Sequence, residues 1–118
     1  MAAMSIQTID PTTGLTPSYG SVNSSDTFAN DGKTSLHVKN GSGASVTVTI
    51  TSVATSGNDE NLGAVTLTDL TFSVGAGAER ILPFLKPARF NDGSGNVTVG
   101  YSATSSVTAA AVKFQRPL

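Results

Sequence analysis

Residues 45–53 read SVTVTITSV, with Val46, Val48 and Ile50 at one parity and Thr47, Thr49 and Thr51 at the other. A period of two matches the alternation of side chains across a β-strand and cannot form one face of a helix. The branched Cβ of Val, Ile and Thr favours the same backbone. This run predicts a strand with one apolar and one hydroxyl face, and such a strand needs a sheet beside it and a second layer to cover it.

The same signal recurs along the chain. Leu36 and Val38 alternate with His37 and Lys39 before the turn NGSGA. In AVTLTDLTFSV, Val65 and Leu67 share one parity while Leu70, Phe72 and Val74 share the other. That shift predicts a bulge or bend at Thr68-Asp69 between two short strands. RILPFL follows the turn GAGAE, and Pro83 confines it to an edge or ends it. Val97, Val99 and Tyr101 alternate, and in the last run Ala110, Val112 and Phe114 oppose Val107, Ala109 and Ala111. That last strand is expected to bury both sides. About seven short strands with Gly/Asn/Ser turns and no helix read as an all-β antiparallel β-sandwich, Ig-like or jelly-roll-like. A small closed barrel is the alternative.

Residues 1–27 lack sustained periodicity and contain Pro11, Gly14, Pro17 and Gly20. They read as an extended N-terminal arm with one short strand near Ser5 to Ile9, ahead of a sandwich domain at 28–118. The spaced apolar residues Leu15, Pro17 and Tyr19 suit an arm lying in a neighbour's groove, and a frayed terminus is the other reading.

Composition narrows the function. Seven Lys/Arg balance eight Asp/Glu, and 13% of residues are charged. This is no electrostatic footprint for nucleic acid or an anionic membrane. No apolar run approaches the roughly 20 residues of a membrane span. The start MAAMSIQ has neither the basic nor the apolar stretch of a secretion signal. With no cysteine, disulfides and thiolate metal sites are impossible.

Asn-Asp-Gly occurs twice, at 30–32 and 91–93, each time close behind a phenylalanine and ahead of a strand. Gly accepts positive φ and Asn and Asp bond neighbouring backbone, so the expected role is a turn. Calcium would require more carboxylates than the isolated Asp31 and Asp92 supply. The acid pair Asp59-Glu60 reads as a solvated loop. The one histidine, His37, lies on an outward parity and reads as a surface residue. No serine sits in a nucleophile motif and no carboxylate pair stands out. The expectation is a protein that is not an enzyme, with no cofactor and no metal.

GLTPSYGSVNSSDTFANDGKTSLHVKNGS, then VTVTI, VGAGAERILPF and FNDGSGNVTVGYSA, resemble small capsid decoration (cement) proteins of tailed bacteriophages. The matching features are Leu15, Pro17 and Tyr19 in the arm, Asn30 to Asn40, Gly77 to Arg80 and Phe90 to Ser102. The resemblance implies a β-sandwich on the outer surface of the virion capsid, made in the host cytoplasm. It binds the major capsid protein across capsomer boundaries and itself, as a homotrimer or a dimer. Leu15, Pro17 and Tyr19 are the expected arm contacts. Pro83, Phe84, Leu85 and Phe90 are the second candidate cluster, with closure of one end of the core as their other reading. A receptor- or carbohydrate-binding module of a fibre or tail is the competing function, disfavoured by the absence of Trp and the presence of only two Tyr. A head–tail connector component is a nearer variant.

Overall fold

A computed structural model describes residues 2–115. It is all-β, with twelve short strands and one four-residue helix among the described residues. The strands are β1 (Ala2–Ala3), β2 (Ile6–Thr8), β3 (Gly20–Ser21), β4 (Ser25–Ala29), β5 (Thr34–Asn40) and β6 (Val46–Ile50). They continue as β7 (Ser56–Asp59), β8 (Gly63–Thr66), β9 (Leu70–Val74) and β10 (Glu79–Ile81). Helix α1 (Pro87–Phe90) precedes β11 (Asn96–Tyr101) and β12 (Val107–Lys113).

Two five-stranded sheets form the body. The first has the order β1-β4-β11-β6-β9, and the second β10-β5-β12-β2 with β3 also on β12. Their inward parities meet in one core. Phe28, Val46, Val48, Ile50, Val97 and Val99 come from the first sheet, and Leu36, Val38, Val107, Ala109 and Ala111 from the second. None of these side chains is more than 2% exposed. Burying each large one contributes about 1.5–3 kcal/mol relative to leaving it in water. The alternation in SVTVTITSV thus becomes β6, buried at Val46, Val48 and Ile50 and open at Thr47.

Pairing is antiparallel except at two places, where β1 runs parallel to β4 and β2 parallel to β12. Both exceptions belong to one extended segment that changes sheets. Ala2–Ala3 and the Met4 N–H, which donates to Thr27 O at 2.7 Å, join the first sheet. Ile6–Thr8 then join the second, so this segment closes one open side of the sandwich. A turn at 10–14, fixed by the Asp10 carboxylate accepting from the Thr12 and Thr13 N–H groups, sends the chain back to β3. Between the two passes, the Gln7 amide bonds both the N–H and the C=O of Ser18, at 2.8 and 2.7 Å. The boundary at residue 27/28 expected from the sequence falls inside β4, because Asp26 and Phe28 are already buried in the sheet.

Two other expectations shift and one holds. The stretch 54–63, read as loop, holds β7 and the start of β8; β7 has no buried face and carries no apolar alternation, whereas the strand expected around Val65 is β8. The bend at Thr68-Asp69 separates β8 from β9, which lie in different sheets. KPARF forms α1, where Pro87 at the start loses no hydrogen bond and its fixed φ suits a helix.

The two Asn-Asp-Gly turns are neighbours in space. Asn30 is 7% exposed. Its Nδ2 donates to Leu85 O at 3.0 Å and to Asn91 Oδ1 at 2.8 Å. The Asn91 Nδ2 donates back to Asn30 O at 2.7 Å. Asn30 Oδ1 accepts from the Gly32 N–H, and Gly32 takes the φ of +89° that this tight turn needs. Asp92 Oδ1 accepts from the Ser94 and Asn96 N–H groups. The repeated motif is therefore a clasp joining the entry to β5 with the entry to β11.

Asn30→Ala leaves Leu85 O, Gly32 N–H and the Asn91 amide without this partner. Urea unfolding is expected to show a loss of about 2–3 kcal/mol. The buried Tyr101 hydroxyl, which has no hydrogen-bond partner, gives the opposite expectation. Tyr101→Phe removes a desolvated, unpaired group and should leave stability unchanged or raise it, by up to about 1 kcal/mol in the same assay.

Candidate functional site

The outward parities of the two sheets differ in chemistry. On the first sheet they are Ser25, Thr27, Thr98, Gly100, Thr47, Thr49, Thr71 and Ser73, in adjacent register. This face is uncharged and rich in hydroxyl groups.

The second sheet is different. Its outward row holds Ile81 beside His37, and His37 beside Ala110. Ala110 and Val112 are 1% and 2% exposed, yet they stand apart from the main core cluster. They are enclosed on the outer face, which is why β12 buries both sides. Tyr19 lies over this face, its ring centroid 3.9 Å from Lys39 Nζ. That contact is a cation–π attraction. Lower on the same face, Phe84 and Phe114 meet edge to face at 5.3 Å. Ile81, Phe84 and Phe114 remain 64%, 53% and 41% exposed. Three of the five exposed large apolar side chains among the described residues thus gather on one face, the kind of patch that marks contact with another macromolecule.

Leu15, Pro17 and Tyr19 are each half-buried and alternate with exposed Thr16 and Ser18. Their alternation turns all three onto the chain's own body, which fastens the returning segment to the domain. Pro83 and Phe84 are exposed. Leu85 and Phe90, at 2% and 4% exposed, are core residues and leave the list of surface candidates. Asn30 bonds Leu85 O, so this stretch closes the end of the sandwich beside the clasp. Two clusters more than sixty residues apart, Tyr19 and Phe84, therefore reach the same sheet face. Phe114 and Ile81 complete it; the parity of Phe114 was legible in the sequence, but its exposure was not.

No group of three or more His, Cys, Asp or Glu side chains converges among the described residues. Asp59 is engaged in its own turn, accepting from the Asn61 and Leu62 N–H groups. Asp31 bonds the Lys33 N–H and lies 3.0 Å from Lys113 Nζ. These two bonds, that to Lys113 first, hold its carboxyl below the usual range. Asp26 is buried and accepts from both the backbone and the amide N–H of Asn23. Burial, and then the nearby Asp26 charge, raise the Tyr101 phenol far above its ordinary value.

Comparison with protein-family models, with curated proteins and with solved structures gives no match for this chain. Function rests on the surface itself.

His37 is more enclosed than its outward parity suggests, because the face it lies on is itself covered. Its Nε2 is buried without a partner. Burial lowers its pKa from 6.5, and the Glu79 carboxylate offsets part of that. The folded chain therefore binds fewer protons here than the unfolded chain does. This contribution to stability is complete above about pH 6.5 and is lost as the pH falls below it. The Asp31 contribution also disappears with acid, but only near and below 3.8. Melting temperature should fall between about pH 7 and 5, and His37→Gln should flatten that slope.

Proposed function

We propose that this protein is a structural component of a bacteriophage virion, decorating the outside of the capsid and stabilising it. It binds the major capsid protein across capsomer boundaries and associates with itself. The observation that carries this reading is the unequal chemistry of its two sheet faces. One face offers Ile81, Phe84 and Phe114 to a partner, while the other presents only uncharged polar groups. The motifs resembling decoration proteins, from Leu15 to Ser102, support the same reading. A rigid sandwich with one adhesive face suits a clamp between capsomers, since many weak contacts over a shell add up to firm attachment.

The apolar face, with Phe84 near its centre, is the capsid-binding face. The arm residues Leu15, Pro17 and Tyr19, half-buried on the chain's own body, border this face at its rim. Deleting 5–22 would be a poor test, because Ile6–Thr8 and Gly20–Ser21 pair with β12 and Val22 is buried. Phe84→Ser is cleaner: the residue is 53% exposed and its loss leaves the core intact.

Imaging of virions should place the protein on the outer shell, with a copy number on the order of hundreds. A copy number matching a single ring would point to a connector, and attachment to a fibre tip would point to a receptor-binding module. Phe84→Ser should weaken binding to capsids lacking the protein by about 2 kcal/mol, roughly thirtyfold, at unchanged melting temperature. Undiminished binding would remove this face from the account.

A further inference from the structure

The sandwich manages its sheet edges unevenly. The outer edge of β12 is covered by β2 and β3, and that of β4 by β1 and Met4. Strand β10 is three residues long, carries Glu79 and Arg80, and ends before Pro83. Short, charged and proline-bounded edges discourage further pairing. Strand β9 has none of these protections. It is five residues, LTFSV, with no charge and no proline.

Which β9 backbone groups point outward follows from the neighbouring ladder. Thr51 N–H donates to Thr98 O, and Thr47 O accepts from Ser102 N–H, so this parity of β6 faces β11. The other parity, Val46, Val48 and Ile50, faces β9 and is paired there with Val74, Phe72 and Leu70. Thr71 and Ser73 must then direct their N–H and C=O groups away from the sheet. The Arg80 guanidinium agrees with this, donating to Ser73 O at 2.9 Å from outside the sheet. Thr71 N–H, Thr71 O and Ser73 N–H are left as an open ladder.

The geometry points to a second copy of this chain as the occupant, paired antiparallel through β9 about a two-fold axis at Thr71. In that register Thr71 exchanges two hydrogen bonds with its own counterpart. Leu70 falls opposite the second copy's Phe72, and both residues are only half-buried at the core's margin. Asp69 falls opposite the second copy's Ser73, where that copy's Arg80 sits. Asp69 uses Oδ1 for the Ser52 N–H, leaving Oδ2 to meet the guanidinium. Ser73 O has a second lone pair for the incoming Asp69 N–H. Each feature occurs twice across the axis, as an isologous contact requires. A slip of register would lose both the charge match and the apolar match.

This pairing specifies the self-association in the proposed function, and the test uses the purified full chain without capsids, so its outcome is separate from capsid binding. Sedimentation at about 50 μM should show a dimer. Thr71→Pro removes an N–H that has no partner within the chain, and an edge strand accepts proline. It should weaken dimerisation at least about tenfold while the melting temperature of the monomer holds. Arg80→Glu places two acidic pairs across the axis, and Asp69→Lys two basic pairs; each variant alone should be monomeric. An equimolar mixture should form heterodimers, since both cross-axis pairs then attract. If Asp69→Lys fails to fold, Thr71→Pro and Arg80→Glu still decide. Wild-type protein that sediments as a monomer or a trimer would overturn the proposal. So would Thr71→Pro dimerising as well as wild type, or folded single variants that do not rescue each other.

Discussion

The structure depends on one constraint: two rows of alternating branched apolar side chains that reach low free energy only when pressed against each other. Val46, Val48 and Ile50 from one sheet, and Leu36 and Val38 from the other, are each at most 1% exposed. With the inward parity committed to that contact, the outward parity is free to carry function. The protein's two outer surfaces are the remainder left by its core.

Closing a sandwich of this size also requires its open sides to be bridged. Residues 2–8 do so on one side by belonging to both sheets, and Arg80 does so on the other by bonding Ser73 O across the gap. The return from the 10–14 turn then brings Tyr19 over Lys39 and covers the outer side of β12. A segment that first reads as an appendage is thus a structural layer. Its apolar residues hold it to the domain and shape the rim of the exposed patch. The Asn30–Asn91 clasp does comparable work at one end, replacing a metal or disulfide with amide-to-amide and amide-to-backbone bonds.

Sequence reading recovered what depends on periodicity. The core strands, the two-sided burial of Val107–Lys113, the edge ended by Pro83 and the turn character of both Asn-Asp-Gly motifs were all legible. What escaped it depends on long-range placement. Strand β7 has no buried face and so left no pattern, although Val65 and Leu67, in and just after its partner β8, did. The pairing of Ile6–Thr8 with β12 spans most of the chain and has no local signature. Phe84 and Leu85 are adjacent and both apolar, yet one is 53% exposed and the other 2%. Only the chain's departure from β10 toward α1 decides which of them turns inward. The gathering of Ile81, Phe84 and Phe114 on a single face is a product of topology that neither spacing nor composition encodes.

The hydroxyl-lined face of the first sheet has a consequence of its own. A surface without ions offers nothing for dissolved salt to screen, so it neither attracts nor repels at long range as ionic strength changes. In dilute water or in brine, that side of the protein would meet the medium alike.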